Sequence, residues 1–454
     1  MSSSRFRVAI IGGGIGGLSL ALAISKGATD IDIDIYESSS TFPESGAGLV
    51  LWARILEILG QWGFEEDLKD RSPPANPSAG AAEKKMQYYK GDQAQPVKWG
   101  VSEFDLTGLH RGEFLQMFAS RIKSTRCQTH FFKKFRSYET LEDGQVAIQF
   151  ADGTETKCDI LIGADGVRST VRQAMYTKFE QRALAQGQSA EESKKFRFYI
   201  PPKWSGELLY RCLVTKEDLQ KTHPDHISLK TQLYFTGKSK FLMSYPVMQG
   251  RVLNTAVVVC RHDLFGTTYE GPWSATVTAE ELLKDFEGWT GEARELVGCM
   301  KDISRWAVNY VEPLPTYIDG LVGLLGDSAH AMVTHQASGA GQTVEDSFVL
   351  GALLAHPETN KSNLRLVLDV YDAFRRPKAQ NVQEKSMTTG KMIMMETLED
   401  VSAEESLKGQ VPLERLEKVQ KQIKDSYAWT VVSAEGDRQE ALKKFENRLK
   451  PSLA

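Results

Sequence analysis

The sequence predicts an α/β fold in which a parallel sheet is combined with an antiparallel-sheet domain and C-terminal helices. Three observations predict this class. Near the N-terminus, over residues 8–37, two apolar runs of strand length flank a helical segment. Segments between residues 207 and 259 alternate apolar and polar residues, as strands of a half-buried antiparallel sheet do. From about residue 400 onward, Glu, Lys and Leu recur in the pattern of amphipathic helices.

The first strand–turn–helix segment predicts a Rossmann-like dinucleotide-binding unit. Gly12, Gly14 and Gly17 form G-x-G-x-x-G between a predicted strand and a predicted helix, and the next strand ends at Glu37. Gly12 permits the tight turn, Gly14 lets the backbone approach a pyrophosphate, and Gly17 allows close helix–strand packing. Free N–H groups and the helix dipole favour the pyrophosphate at the helix N-terminus. Glu37 would accept hydrogen bonds from a ribose.

Two later strand ends extend this pattern. Asp165 opens the segment D-G-x-x-S-x-x-R, and Asp327 lies in G-D-x-A-H ahead of the turn Gly339-Ala340-Gly341. With the first glycine motif, these segments resemble the class A flavin-dependent monooxygenases, which have the para-hydroxybenzoate hydroxylase fold. Within that family the chain looks salicylate-hydroxylase-like and closest to fungal members. The matching stretches are 5–60, 107–175, 205–260 and 318–376.

The resemblance implies an FAD-dependent, NAD(P)H-consuming aromatic monooxygenase. FAD would be bound non-covalently. NADH or NADPH would bind transiently, since the sequence has no second G-x-G-x-x-G that could form a separate nicotinamide domain. A flavin C4a-hydroperoxide would hydroxylate a phenolic aromatic acid. Carbon dioxide would be lost if the attacked carbon bears a carboxylate, as in salicylate 1-hydroxylase- or 4-hydroxybenzoate 1-hydroxylase-like enzymes. The partners would be a small phenolic substrate, O2 and NAD(P)H.

Two other functions stay open at this point. One is a dearomatizing hydroxylase or an epoxidase acting on a polyketide or an isoprenoid. The other is a non-catalytic FAD-binding or prenyl-carrying protein similar to Rab escort proteins. The Gly-Asp pair at Gly326-Asp327, the following glycine turn and an arginine in a strand, Arg211, favour an enzyme.

The resemblance also implies which residues contact the cofactor. The glycine turn before the last motif's helix can direct N–H groups toward the anionic edge of the reduced flavin. Asp327 is alternatively a helix N-cap, and Arg111 is alternatively a surface arginine in an ion pair. The complete predicted cofactor-binding set is Gly12, Gly14, Gly17, Glu37, Ala47, Gly48, Arg111, Asp165, Asp327, Gly339, Ala340 and Gly341.

Two residues of the antiparallel strands are the candidate catalytic residues. Arg211 lies in an apolar strand, where an unpaired arginine is costly, and Tyr245 lies in another strand. In relatives an arginine and a tyrosine at these positions bind a phenolate. The alternatives are an ion pair for Arg211 and simple packing for Tyr245. His335 could face substrate and transfer a proton. We favour a hydrogen-bonded loop histidine.

Composition excludes several other classes of protein. The 454 residues can form two or three cores, because single cores stop growing near roughly 250–300 residues. A net charge of -4 without a basic run gives no case for nucleic-acid binding. No run reaches the roughly 18 apolar residues of a membrane span. The five cysteines are scattered, which predicts a reduced chain without a metal site. The N-terminus enters a predicted strand at once and leaves no room for a signal peptide, so we expect a cytoplasmic protein. The oligomeric state is not predicted.

The predicted domains are discontinuous. The FAD-binding domain would comprise residues 1–75, 106–178 and 305–376, and the substrate domain residues 76–105 and 179–304. Residues 377–454 would form a C-terminal helical region, which we expect to be a solvated cover.

Overall fold

The computed structural model describes residues 4–42, 48–69, 83–102, 107–122, 126–247 and 250–450. Their strands are β1 (Arg7–Ile11), β2 (Asp32–Tyr36), β3 (Gly48–Leu51), β4 (Glu83–Lys90), β5 (Val97–Val101), β6 (Thr107–His110), β7 (Cys127–His130), β8 (Phe135–Thr140), β9 (Val146–Phe150), β10 (Glu155–Cys158), β11 (Ile160–Gly163), β12 (Lys203–Thr215), β13 (Thr231–Gly237), β14 (Lys240–Val247), β15 (Val252–Cys260), β16 (Ser274–Val277), β17 (Ile303–Tyr310), β18 (Ile318–Asp319) and β19 (Val322–Leu324). Their α-helices are α1 (Ile15–Gly27), α2 (Ala53–Gln61), α3 (Glu65–Lys69), α4 (Arg111–Ile122), α5 (Thr170–Ala185), α6 (Ala190–Lys194), α7 (Lys216–Thr222), α8 (Ala279–Leu283), α9 (Gly291–Gly298), α10 (Asp327–His330), α11 (Gly339–Ala355), α12 (Leu364–Ile393), α13 (Ala403–Leu407), α14 (Leu413–Ser426) and α15 (Ala434–Leu449).

A six-stranded sheet with the order β18-β19-β11-β1-β2-β7 confirms the predicted parallel sheet. Strand β1 pairs in parallel with β2 and β11. Among the described strands of this six-stranded sheet, only the edge pair β18–β19 is antiparallel. Residues Val8–Ile11 of β1 and Ile160–Gly163 of β11 are buried throughout, as expected for central strands that are covered on both faces. In open α/β sheets ligands bind outside the carboxyl ends of the strands, so that edge is where a site is expected.

An eight-stranded sheet with the order β16-β17-β12-β15-β14-β13-β4-β5 forms the second layer. Its strand pairs are antiparallel except for β13–β4, which is parallel. Strand β4 comes from an earlier part of the chain than its partner. Alternate residues of its central strands face two different cores. Leu242 and Val257 pack with helices α8 and α9, whereas Phe241 and Val258 pack toward the first sheet. The predicted antiparallel substrate-domain sheet therefore has one face turned toward the parallel-sheet domain.

Helices α1 and α11 pack side by side and run in the same direction. A Cβ placed on Gly351 would lie 2.5 Å from Cβ of Ala23, and one on Gly27 would lie 2.5 Å from Cβ of Ala355. One turn earlier, the hydroxyls of Ser19 and Ser347 are 2.7 Å apart. Contacts advance four residues at a time along both helices, so both N-termini lie at the same end. Small residues permit this close approach of the two backbones.

The predicted C-terminal helices are present, and the buried side of this cover contributes residues to the core. Tyr427, which follows α14, is buried, and its hydroxyl donates to the carbonyl of His335 at 2.9 Å. Its ring centroid lies 5.1 Å from that of Trp52. Phe445 of α15 is fully buried as well. Aromatic residues thus anchor the tail in the core, although its sequence is highly charged. Among the described helices, none combines the length and apolar character needed to cross a lipid bilayer.

The contact between α1 and α11 gives a stability prediction. Gly351→Ala should lower the free energy of unfolding by about 1–3 kcal/mol, because the added methyl group forces the two helices apart. Gly436→Ala in α15 is the matched control, since no atom lies within 4 Å of its Cβ position. The control should be neutral or slightly stabilising, since alanine favours helix more than glycine does. Chemical denaturation of both variants tests this, and equal stabilities would contradict the steric argument.

Candidate active site

The glycine turn after β1 is shaped by two close backbone approaches. Gly12 has φ of +108°, and a Cβ there would overlap the carbonyl oxygen of Ala164. A Cβ on Gly17 would overlap the carbonyl oxygen of Gly12. Gly14 differs, because nothing lies within 4 Å of its Cβ position. The turn therefore packs tightly on its protein side and is open at Gly14, where a ligand can approach the backbone. Contact of these glycines with a cofactor stays a prediction.

Glu37 ties the end of β2 to this turn. One carboxylate oxygen accepts the N–H of Gly13 at 2.7 Å, and the other accepts the N–H of Ser39 at 2.8 Å. Burial raises the pKa of Glu37, but the N–H groups of Ser39 and Gly13 outweigh that effect and hold the pKa below its ordinary value. An ionised carboxylate therefore lies beside the turn, where the ribose of a dinucleotide is expected.

Two helix N-termini at the carboxyl edge of the parallel sheet have no side-chain cap. Helix α1 starts after Gly14 and helix α11 after Ser338, and neither residue forms a capping hydrogen bond. Their first N–H groups and their helix dipoles can therefore act on an anion. The second helix starts with Gly339-Ala340-Gly341, as the sequence motif requires. Because α1 and α11 are parallel neighbours, the geometry provides two adjacent positive helix ends.

Asp327 lies next to the start of α11. Its Oδ1 is 3.8 Å from the Cβ position of Gly339. The side chain of Asp327 is exposed to solvent in the structure. Desolvation raises the pKa of Asp327, and the charges of His330, Arg111 and Arg172 oppose that rise. Arg111, the first residue of α4, is thus close enough to Asp327 to act on its charge. Both could hold the ribityl or pyrophosphate portion of a flavin dinucleotide.

Asp165 is placed differently from the other candidate cofactor residues. Its carboxylate accepts the N–H of Thr170 at 2.7 Å and the N–H of Val171 at 3.1 Å. It thereby caps helix α5. Arg172 of the same motif is fully buried, and burial lowers its pKa to about 10. Its guanidinium donates to the carbonyl of Ser328 at 2.8 Å. The motif thus joins α5 to the turn at Asp327.

Arg211 and Gly48 meet between the two sheets. Nη2 of Arg211 donates to the carbonyl oxygen of Gly48 at 3.0 Å. Ala47, the preceding residue of the predicted turn, lies outside the described residues. Among the residues that the structure describes, no carboxylate lies within ion-pair distance of Arg211. The ion-pair alternative for Arg211 thus finds no partner in the part of the chain that the structure describes.

Tyr245 lies on the same sheet face as Arg211. Strand β15 separates them, with Arg211 opposite Ala256 and Tyr245 opposite Asn254. Burial lowers the pKa of Arg211, and the nearby Tyr245 raises it. Burial raises the pKa of Tyr245, whereas Arg211 and the adjacent Asn254 side chain lower it. The sheet face that carries Arg211 and Tyr245 is turned toward the parallel-sheet domain, because Phe241 and Val258 of the same face pack there.

His335 has a carboxylate partner in the structure. Its Nε2 lies 2.8 Å from Oε1 of Glu207, and both side chains are buried. Gly390 of α12 packs so closely on the His335 ring that a Cβ there would overlap it. The placement is that of a hydrogen-bonded loop histidine, which the sequence argument favoured over proton transfer to substrate.

A buried charge network beneath α11 was not predicted. Arg54 pairs with Glu345 of α11 at 2.8 Å and with Asp437 of α15 at 2.9 Å. Arg375 of α12 pairs with Asp346 at 2.8 Å, and the other oxygen of Asp346 lies 2.6 Å from Nε2 of His330. The adjacent acidic residues within an otherwise apolar helix were the available sequence signal. The network links α11 to helices α2, α12 and α15.

Comparison with known proteins finds an FAD-binding family model and several similar monooxygenases. A family model for an FAD binding domain matches residues 5–386. The FAD-dependent monooxygenase str9 of Strobilurus tenacellus is 31% identical over 98% of this chain and 99% of that protein. A salicylate hydroxylase of Pseudomonas putida is 30% identical over 89% of each chain. A salicylate hydroxylase substrate complex has the same fold, with a TM-score of 0.80, 25% identity and complete coverage of both chains.

The parallel sheet with its open glycine turn, the second uncapped helix and the adjoining antiparallel sheet define an FAD-binding flavoprotein. The chain belongs to the class A flavin-dependent monooxygenases, and it is an FAD-dependent monooxygenase with aromatic hydroxylases among its relatives. The family and the cofactor FAD predicted from the sequence are thereby confirmed. The individual site residues stay predictions, which the placement of Gly14, Glu37, Asp327 and the start of α11 supports.

Glu37 offers a direct test of cofactor binding. Glu37→Gln should weaken FAD binding by about 1.5–3 kcal/mol, because hydrogen bonds to a charged acceptor are lost while the shape is kept. FAD titration of the apoprotein, followed by flavin fluorescence, measures the change. Glu139→Gln is the control, because that carboxylate is 67% exposed and belongs to β8, which is not part of the parallel sheet that carries the glycine turn. An unchanged affinity for FAD would show that Glu37 only organises the protein turn.

FAD should be bound non-covalently. The two histidines that precede the start of α11, His330 and His335, are both engaged with buried carboxylates and are unsuited to a flavin bond. Acid precipitation of the yellow protein should therefore leave all flavin in the supernatant. Flavin that remains with the pellet after denaturing washes would refute this prediction.

Proposed function

We propose that this monooxygenase hydroxylates a phenolic aromatic acid with electrons from NADH or NADPH. The observation that carries the proposal is Arg211, a cation on an apolar sheet face with only the neutral carbonyl of Gly48 as its hydrogen-bond partner among the described residues. Such a cation is stabilised by an anionic ligand. Relatives named salicylate hydroxylase and 6-methylsalicylate 1-monooxygenase support a hydroxylated aromatic acid as that ligand.

Arg211 would bind the substrate as a phenolate. A cation close to a phenol in an enclosed site lowers the pKa of the phenol, because low effective dielectric strengthens the attraction. The phenolate ring is richer in electrons than the neutral phenol and reacts more readily with an electrophilic oxygen. Tyr245, on the same face, can donate its O–H to the same substrate oxygen. The two side chains would therefore both activate and orient the ring.

When bound, FAD supplies the activation of O2 from which one oxygen atom is transferred to the ring. The N–H groups of Gly339, Ala340 and Gly341 would face the anionic edge of the reduced flavin. The turn at Gly14 and the carboxylate of Glu37 would hold the pyrophosphate and the ribose. The buried rings of Tyr427 and Trp52 pack together beside the loop that precedes α11, and they would limit the entry of water on that side.

Loss of carbon dioxide is the second part of the proposal. If the attacked ring carbon bears a carboxylate, addition of OH at that carbon and departure of CO2 restore the aromatic ring. Product mass distinguishes this outcome from simple hydroxylation and from a dearomatizing hydroxylation or epoxidation. The first shows loss of CO2 with gain of oxygen, and the others show gain of oxygen alone.

A substrate screen tests the proposed function. Hydroxybenzoates should stimulate oxidation of NADH or NADPH by the holoenzyme, with uptake of O2 exceeding release of peroxide for the true substrate. Benzoates without a hydroxyl group serve as controls, because they cannot form a phenolate. The proposal fails if no hydroxylated aromatic acid stimulates nicotinamide oxidation.

Arg211 variants test the phenolate mechanism. Arg211→Ala should lower hydroxylation by about 10²-fold or more, the cost of removing a group that stabilises developing charge. Flavin reduction should change far less, and peroxide release should rise. Arg211→Lys keeps the charge but loses the planar fork, so a partial defect is expected. Tyr245→Phe should show the same defect in a milder form.

The pH profile gives an independent measurement on the same variant. The wild-type enzyme should stay active below the pKa of the free phenol, whereas Arg211→Ala should regain activity as pH rises toward that pKa. Arg261→Ala is the control, since this arginine is 61% exposed and pairs with the exposed Asp263. If Arg211→Ala hydroxylates the substrate at the wild-type rate and releases no additional peroxide, Arg211 has only a structural role.

A further inference from the structure

Asn254 carries a polar side chain that the proposed mechanism does not use. It lies in the centre of β15, and only 5% of the residue is exposed. Its Nδ2 is buried and has no hydrogen-bond partner in standard geometry among the described residues. An unsatisfied buried donor costs about 1–3 kcal/mol. A side chain that bears this cost beside the substrate-facing surface calls for a functional explanation.

Strand register places Asn254 between the two candidate catalytic residues. It is directly opposite Tyr245 of β14 and, on its other side, directly opposite Leu213 of β12. Directly opposed residues of antiparallel strands have Cβ atoms about 4.5–5.5 Å apart and share a sheet face. Arg211 lies two residues before Leu213 on that same face. The Asn254 amide is therefore adjacent to the Tyr245 side chain and diagonal to Arg211.

We propose that Asn254 is a positioning residue whose amide Nδ2 donates to the hydroxyl oxygen of Tyr245 and so directs the Tyr245 O–H toward the oxygen of a bound phenolic substrate. The inference rests on the proposed function. A phenol hydroxyl can accept one hydrogen bond while it donates another. Once the amide occupies a lone pair of Tyr245, the Tyr245 proton is left for substrate.

The charges around Tyr245 agree with this direction of donation. Arg211 and the Asn254 amide both favour negative charge on the Tyr245 oxygen, whereas burial opposes it. Hydrogen bonds in ligand-free active sites are often long and tighten when substrate binds. The buried Nδ2 would then be satisfied in the complex, through Tyr245, rather than in the free enzyme.

A double-mutant cycle tests the inference in the holoenzyme, with salicylate as the probe and perturbation of the flavin absorption spectrum as the readout. Asn254→Leu should weaken salicylate binding by about tenfold, the effect of one hydrogen bond. In the Tyr245→Phe background the same substitution should change binding by less than about twofold, because the two residues act as one unit. Benzoate, which has no phenol oxygen, should show little effect of either substitution.

Thr255→Val is the matched control. Thr255 is the next residue of β15, is fully buried and lies on the opposite sheet face, where it is directly opposite Cys212 and Ser244. This variant should bind salicylate as the wild type does. Equal losses for salicylate and benzoate, or an unchanged effect of Asn254→Leu in the Tyr245→Phe background, would overturn the inference and leave Asn254 a packing residue.

A second measurement does not depend on substrate. With 3-fluorotyrosine at position 245, the fluorine resonance reports ionisation of that phenol in the holoenzyme. Asn254→Leu and Asn254→Asp should both raise its pKa, because each removes the amide donor. An unchanged pKa in Asn254→Leu overturns the inference. If the wild type does not bind salicylate while this pKa shifts as expected, the substrate proposal fails and the Asn254–Tyr245 interaction stands.

Discussion

The close parallel contact of α1 and α11 is the constraint on which the site depends. Gly27 and Gly351 leave no room for a side chain at this interface, and Ser19 bonds Ser347 across it. Each helix begins at the carboxyl edge of the parallel sheet, so their separation fixes the distance between two uncapped N-termini. A flavin dinucleotide has negative charge at its pyrophosphate and, when reduced, at its ring. One rigid pair of helices can serve both charges because their N–H groups need no adjustment when the ligand binds.

The opposite side of α11 is held by charge rather than by small residues. Glu345 and Asp346 are buried, and Arg54 and Arg375 neutralise them. Removing one partner of such a network leaves a buried charge unpaired, which is far more costly than the pair is worth. The network therefore specifies the position of α11 more than it adds stability. Because Arg54 also reaches α15 through Asp437, the C-terminal helices take part in positioning α11, whose start is the predicted contact with the flavin.

Sequence reasoning was strongest where backbone sterics decide the structure. The glycine turn, the strand before it and the acidic strand end at Glu37 are local features, so their geometry could be predicted. Asp165 was harder, because motif and resemblance do not reveal that its carboxylate is used by the N-terminus of α5. The partner of His335 could not be predicted either, since Glu207 is 128 positions away and meets it only through tertiary packing. Burial of Tyr427 had the same origin.

Arg211 illustrates why the proposed substrate site lies at the junction of the two sheets. Among the described residues, its guanidinium has as hydrogen-bond partner a carbonyl of β3, which orients the guanidinium without neutralising it. A carboxylate in that position would stabilise the protein but would compete with an anionic substrate for the same charge. A neutral acceptor leaves the full charge for the ligand, at a cost in desolvation that ligand binding recovers. An Arg211 without a carboxylate partner would thus lower the stability of the free enzyme and raise its affinity for an anion. The gain in affinity would be greatest when the bound oxygen carries the most negative charge.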